Sequence, residues 1–467
     1  MATSYALSRV FQLISQIVLA RLLSPKDFGV WAMVLLATTL STIFAEGSVT
    51  QVLVQRGLDD KKLVNTVYSL GVNISVGLFC LQTLLGFPLS KFFDTPLLWP
   101  MTACVSLVLL IGAGTSTHSA VLLREMKFRE AAICSAGASM GRVGGAVVCA
   151  ALGGGIWSFA AGEISATTIG AWLTRSLSGY HFKYHLILDW LVVREVRSFM
   201  SGIMGINLAV SINTKIDNMV IGKMLGAQAL GYYNLAYQLA MIPLYTISSI
   251  NSVNFSVLSQ KDNEGRRIYI ANALELFAVL SALIYGVGFV VAPWLIPLLY
   301  GSEWIEAVRL FQIILVFAYA RGFMAILGIS LVAADKPGIN AAINFALVPI
   351  TIPSFIVGAQ LGGTTGVAIA VAVVLGIFAT VWFWIATCHV SDWNIKVLVK
   401  PVLLPTVAIT LIVAAVLAIP FPTELRIYLQ PIVVVITYGM VLTVFSKGHI
   451  PQMLMKLVKH TLNKHST

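Results

Sequence analysis

The sequence predicts an all-α, polytopic membrane fold of about fourteen transmembrane helices, arranged as two six-helix lobes in pseudo-twofold repeat with two extra C-terminal helices. Three observations predict it. Of 467 residues, 58% are hydrophobic and 10% charged, where an ordinary soluble domain carries about a quarter charged residues. Apolar stretches of about twenty residues, the length that crosses about 30 Å of hydrocarbon, recur nearly from end to end. The segment ARLLSPKDFGVWAM at residues 20–33 also aligns without gaps on GKMLGAQALGYYNL at residues 222–235, an offset of 202.

The spans fall at about residues 3–22, 27–50, 63–90, 98–117, 130–151, 156–177, 198–221, 228–252, 268–299, 304–333, 337–360, 362–388, 401–420 and 428–446. Helices are the only reading, because an open sheet in lipid leaves backbone groups unpaired and a porin-type barrel shows short alternating segments. Residues 1–22 do not present a basic region, an apolar region and a small-residue cleavage site in order, so the first span reads as permanent. It begins almost at Met1, as expected of either a shortened or a misassigned start.

The repeat divides these spans. Arg21 falls on Lys223, Gly29 on Gly231 and Trp31 on Tyr233, and Leu152, Gly153 and Gly154 match Leu361, Gly362 and Gly363 at an offset of 209. Two copies starting on the same side make a parallel repeat about an axis along the membrane normal. The expected organisation is an N-terminal lobe at 1–177, a linker at 178–197, a second lobe at 198–388, and two extra helices with a cytoplasmic tail at 389–467. The linker segment HFKYHLILDWLVVREVRSF, residues 181–199, mixes aromatics and charges and reads as an amphipathic helix on the cytoplasmic interface.

Charge sets the orientation. The net charge is +11, but its distribution argues against nucleic acid. Connections after even-numbered spans and the C-terminal tail hold about twenty Lys and Arg, those after odd-numbered spans about six. Basic residues stay cytoplasmic, so both termini are expected in the cytoplasm of an inner-membrane protein. The five cysteines fall within apolar spans at irregular spacing, and no histidine pairs with a second ligand at metal spacing, so neither a disulfide framework, a metal nor a cofactor is expected.

The segments ARLLSPKDFG at residues 20–29 and DNMVIGKMLGAQALGYYNLAYQLAMIP at residues 217–243 resemble the polysaccharide-exporter branch of the multidrug, oligosaccharidyl-lipid and polysaccharide exporter superfamily, which includes the colanic-acid-type and O-antigen flippases. The resemblance covers most of the chain and is best in spans one, two, seven and eight. It implies two lobes around a central cavity, alternating access, and an undecaprenyl-diphosphate-linked oligosaccharide as cargo for exopolysaccharide, capsule or O-antigen synthesis, with polymerase and glycosyltransferase neighbours. It also implies several more residues before the first span than this chain has.

Charged groups in hydrocarbon are costly and usually face a cavity or a partner. Four cations qualify: Arg9, Arg142, Lys215 and Arg321. Fixed cations suit a diphosphate headgroup, Arg through its bidentate fork and Lys as a point charge. Asp217 and Asn218 of the second motif, with Tyr233 and Tyr237, complete the candidate substrate-binding set. Span eight carries Tyr233, Asn234, Tyr237 and Gln238 at turn spacing, a stripe that suits sugar rings and equally suits helix–helix hydrogen bonding. Glu163 and Glu275 either pair with cations between helices or couple transport to an ion. Gly137, Gly141 and Gly145 repeat every four residues and permit close helix approach. Prolines at 243, 293, 349, 353 and 405 are expected to interrupt spans.

Two rival transport readings share the fold: a cation-coupled drug or metabolite antiporter, expected to have about twelve spans and an acidic residue where this chain has Arg9, and a cell-wall-precursor flippase. An enzyme would need catalytic carboxylates in a sizeable polar loop. The adjacent pair Asp59 and Asp60 sits beside Lys61 and Lys62 in a short connection and reads as a solvated charge cluster, so no catalytic residues are expected.

Overall fold

The computed structural model describes residues 13–186, 188–194, 196, 215–248, 258, 261–422 and 425–446, and all regular structure among them is helical. The helices are α1 (Leu13–Leu22), α2 (Pro25–Arg56), α3 (Lys61–Phe92), α4 (Leu98–Ile111), α5 (Thr115–Arg124), α6 (Phe128–Ala151) and α7 (Trp157–Ser178). They continue with α8 (Ile216–Ser248), α9 (Asn263–Tyr300), α10 (Glu306–Ala333), α11 (Gly338–Ser391), α12 (Ile395–Ala418) and α13 (Arg426–Phe445). Among the described residues seven helices are long and apolar enough to cross a membrane, or eight when α4 and α5 count as one broken span. The chain is a multi-pass membrane protein. At about 1.5 Å per residue, the 54 residues of α11 supply length for two crossings, and its backbone leaves the helical region at Gly362 and Gly363, between the two spans expected there.

Local sequence explains the starts and breaks. Ser24 caps α2 in a reciprocal box: Asp27 N donates to Ser24 Oγ at 3.3 Å and Ser24 N donates to Asp27 Oδ2 at 3.0 Å, with Pro25 in the first turn, where no N–H is needed. Asp60 caps α3 by accepting from Lys62 N and Leu63 N. The span expected at 98–117 is broken rather than continuous: Gly114 takes φ 75° and α4 and α5 meet at 47°. The helices run on through Pro243, Pro293, Pro349, Pro353 and Pro405. Within α8 and α11, the non-helical backbone falls instead at glycines, Gly226 and Gly362–Gly363, the residue type with least resistance to such angles.

Contacts group the chain into two units, Met1–Asn234 with Leu299–Glu303, and Leu235–Leu298 with Trp304–Thr467. In the first unit, α6 and α7 pack backbone against backbone. A Cβ on Gly141 would sit 3.0 Å from the Ser165 carbonyl oxygen, and one on Gly145 2.9 Å from that of Ala161, so the glycine stripe serves close approach. A second cluster joins Val52 and Leu53 of α2, Leu63, Val64 and Val67 of α3, and Ala120 of α5 to Val192 and Val196 of the linker.

The linker departs from expectation in its first half. Residues 181–186 are not helical, and helix begins at Trp190. Side chains of α3 take over the hydrogen bonds a helix would make: Lys183 N donates to Asn65 Oδ1 (3.0 Å), His185 N to Ser69 Oγ (2.9 Å) and Tyr184 Oη to Asn73 Oδ1 (2.8 Å). These partners repeat every four residues along one face of α3. Beyond them Asp189 pairs with Lys62 at 2.5 Å, and that hydrogen bond holds the Asp189 carboxyl below its ordinary range. Trp190 and Leu191 are exposed while Val192 is buried.

In the second unit, α12 and α13 are built into the core. Ala408, Ile409, Val416, Val434, Tyr438 and Leu442 pack with Val279, Ala282 and Val290 of α9. Tyr438 Oη donates to the Val279 carbonyl at 3.1 Å, and the Tyr319 and Thr406 hydroxyls are 2.6 Å apart.

Candidate functional site

Glu163 and Arg142 sit on the paired helices α7 and α6. A Cβ on the adjacent Gly162 would lie 2.9 Å from the Arg142 carbonyl oxygen, and this backbone proximity brings the two side chains together. Arg142 Nη2 donates to Glu163 Oε2 at 2.9 Å. The guanidinium is about half exposed and the carboxylate less so, and each neutralises the other.

Asp217, Asn218 and Tyr233 form a buried polar group on α8. The helix breaks at Gly226, where φ is 85° and ψ 177°, and residues 217 and 233 lie on opposite sides of the break. Tyr233 Oη donates to Asp217 Oδ2 at 2.7 Å, and Asn218 N donates to Asp217 Oδ1 at 2.7 Å. Asp217 and Asn218 are buried and Tyr233 is fully so. A carboxylate removed from water needs such donors to remain tolerable.

Lys215 precedes this helix, half-buried, and has no ion-pair partner among the described residues. Its spacing from Asp217 does not lead to a salt bridge, because the aspartate is engaged by Tyr233.

Arg321 on α10 is half-buried and stands over the ring of Phe317, its Cζ 5.6 Å from the centroid. The Tyr237 ring lies 5.9 Å from the same ring, tilted by 38°. Phe317 therefore joins two candidate residues. Sequence reasoning missed it, although its position four residues before Arg321, one helical turn, was the available signal. The stripe on span eight divides accordingly: Tyr233 turns to Asp217, and Tyr237 to the aromatic–cation group. Glu275 is half-buried on α9, and Arg9 lies outside the described residues. Arg142, Glu163, Lys215, Asp217, Asn218 and Tyr233 belong to the first unit, Tyr237, Glu275 and Arg321 to the second.

Among the described residues, no three His, Cys, Asp or Glu side chains form a group that could hold a metal, and the cysteines are free thiols. The arrangement holds positive charge in each unit: the Lys215 ammonium, without an ion-pair partner among the described residues, in the first, and the Arg321 guanidinium over the Phe317 ring in the second. A cation over an aromatic face gains about 0.5–2 kcal/mol, so Phe317 orients Arg321 without neutralising it.

A family profile described as polysaccharide biosynthesis protein matches residues 18–309. The chain is 22% identical over 369 residues to the lipopolysaccharide biosynthesis protein WzxC of Escherichia coli (strain K12), covering 76% of this chain and 73% of the relative. It is 28% identical over 303 residues to the succinoglycan biosynthesis transport protein ExoT of Rhizobium meliloti (strain 1021), covering 62% and 59%. Among solved structures, the lipid II flippase MurJ in an inward closed conformation superposes with a TM-score of 0.78 at 15% identity, covering 96% of this chain and 99% of that one. An inward-facing multidrug resistance MATE family transporter of the MOP superfamily gives 0.64 at 13% identity over 82% of this chain and 96% of that one. At such identities the structural likeness speaks for the fold.

Proposed function

Because the chain belongs to the polysaccharide biosynthesis protein family, we propose that it is a flippase that carries an undecaprenyl-diphosphate-linked oligosaccharide across the bacterial inner membrane by alternating access. Its task is transport without bond-making chemistry. Both termini face the cytoplasm in this reading, as the clustering of basic residues on one side requires.

The observation that carries the substrate class is the pair of cations, Lys215 and Arg321, that have no ion-pair partner among the described residues of an apolar protein. Fixed positive charge in a membrane has a cost, and a diphosphate headgroup is a ligand that repays it by replacing its lost water with ammonium and guanidinium donors. Tyr237, half-buried against the fully buried Phe317 ring, is the flat apolar face assigned to the sugar. Arg9 is assigned to the same set on its sequence position alone. Arg142 is assigned a supporting part, since Glu163 already occupies it, and Asp217, Asn218 and Tyr233 hold the shape of α8 beneath the cargo. Ion coupling is assigned to Glu163 and Glu275, the acidic residues of the α7 and α9 spans.

Lys215→Gln and Arg321→Gln should each lower polymer export by about tenfold, the scale on which a charge-assisted hydrogen bond of about 1.5–3 kcal/mol acts, with protein abundance unchanged. Arg321→Lys should be milder, because charge survives without the fork. Export at the native level from both Gln variants rejects the cationic cargo site.

A further inference from the structure

The second half of α11 is not a regular α-helix throughout. Residues Val371–Phe378 form a π-helix, with α-helical backbone at Ala370 before it and at Ala379 after it. Such wide i→i+5 turns are rare and occur mostly as single turns, frequently at functional sites; here the stretch runs for eight residues. Its sequence, VAVVLGIF, has no polar side chain, so its support comes from packing. The neighbour is α10: a Cβ on Gly376 would lie 3.3 Å from Phe317 Cα and 3.6 Å from Ala320 Cβ.

The π stretch redirects the next hydroxyl in the chain. The hydroxyls of Thr39, Thr168, Thr406, Thr410 and Thr443 donate to the carbonyl four residues back in their own helices, the local bond open to a threonine within a helix. For Thr380 that carbonyl belongs to Gly376, inside the π stretch, where the Ala379 N–H donates to it instead. The buried Thr380 Oγ1 donates across to the Ala320 carbonyl of α10 at 3.0 Å. A backbone carbonyl has two lone pairs, so this bond is added to the ladder of α10 and takes nothing from it.

Ala320 immediately precedes Arg321, and Phe317, whose ring lies under the guanidinium, precedes it by one turn. Elsewhere around α10, the Tyr319 and Thr406 hydroxyls are 2.6 Å apart, and a Cβ on Gly322 would fall on the Phe277 ring of α9. Together these contacts fix the rotation of α10 about its axis, and with it the direction in which Arg321 leaves the helix. All of these residues belong to the second unit. We propose that the π stretch is a positioning device for Arg321, with Gly376 and Thr380 as the positioning residues that aim the guanidinium at the diphosphate of the cargo. The inference rests on the flippase reading with Arg321 in its cargo site, and adds the groups that act on that site through the backbone of α10.

The test is a double-mutant cycle on the full chain in sealed vesicles, read as flipping of an undecaprenyl-diphosphate-linked oligosaccharide. Thr380→Val keeps the shape of the side chain and removes its donor. It is expected to slow flipping by about threefold or more, the scale of one neutral hydrogen bond, at an unchanged amount of folded protein, while Thr380→Ser keeps the native rate. In the Arg321→Gln chain, adding Thr380→Val is expected to change flipping by less than about twofold, since the group it positions is already gone. Equal slowing of the native and Arg321→Gln chains overturns the positioning role, as does no slowing of the native chain. A native chain that does not flip this cargo removes the flippase reading instead, and the positioning is then decided by labelling. In a chain lacking its five native cysteines and carrying Arg321→Cys, Thr380→Val is expected to change the rate of reaction with a small anionic thiol reagent by about threefold or more, on the same hydrogen-bond scale, and Thr380→Ser to leave it. Equal labelling rates with Thr380 and with Thr380→Val overturn the inference.

Discussion

Arg142 and Glu163 show why a charged residue in a membrane span cannot be assigned from the sequence alone. Their presence in apolar stretches is plain from composition, and both were expected to face a cavity or a partner. Which of these holds depends on a tertiary contact between α6 and α7 that Gly141, Gly145 and Gly162 permit. The same applies to Asp217, whose partner is Tyr233 sixteen residues on rather than nearby Lys215. Phe317, which orients Arg321, carries no charge and went unnoticed in a phenylalanine-rich helix. For the Arg142 pair the expectation is reciprocal. Arg142→Gln leaves a carboxylate in low dielectric and should lower protein abundance and thermal stability by about 1–3 kcal/mol, below the cost of breaking a fully buried pair because the guanidinium is partly exposed. Adding Glu163→Gln should restore most of that loss. A double variant as unstable as the sum of the singles would mean that the two side chains act separately.

At the scale of elements, the apolar stretches located the described helices well, since hydrophobic length is a property of the sequence itself; most of the spans expected at 3–22 and 198–221 lies outside the described residues. The breaks were less legible. Prolines were expected to interrupt spans, yet α8, α9, α11 and α12 continue through them, and the described interruptions fall at Gly114, Gly226 and Gly362–Gly363. In a helix packed among others, neighbouring groups can satisfy the backbone that a proline frees, whereas a left-handed backbone angle excludes most side chains outright. The linker was misread for a related reason: its amphipathic pattern was clear, but Asn65, Ser69 and Asn73 of α3 offered its backbone and Tyr184 another set of partners. Gly226 gives the sharpest check on this picture. Its φ of 85° and ψ of 177° lie in a region nearly restricted to glycine, with a cost of about 1–3 kcal/mol for other residues. Gly226→Ala should lower the thermal midpoint of the purified protein. Gly144→Ala, at a helical position with nothing within 4 Å of the added Cβ, should leave it within about 0.5 kcal/mol of native stability. Equal midpoints for the two variants would show that the break does not depend on Gly226.

On the scale of the whole molecule, the two segments matched by the expected repeat lie against each other within the first unit. The weak match between residues 20–33 and 222–235 corresponds to reciprocal backbone contacts at Gly29 and Gly231. The second match, Leu152–Gly154 with Leu361–Gly363, corresponds to a helix end at one site and a helix break at the other, with Leu152 and Leu361 exposed by 83% and 85%. Spans thirteen and fourteen, read as additions to the repeat, share a core with α9, so being outside the repeat does not make them peripheral to the fold. What the chain transports is a question for the assembled protein in a bilayer. The direct measurement places the purified protein in sealed vesicles with an undecaprenyl-diphosphate-linked oligosaccharide confined to one leaflet, then follows the arrival of its sugar at the other leaflet with a membrane-impermeant glycosidase. The flippase account predicts that the sugar becomes accessible faster than in protein-free vesicles, and that Arg321→Gln slows its appearance. Accessibility no faster than in protein-free vesicles, with folded protein present, would contradict it.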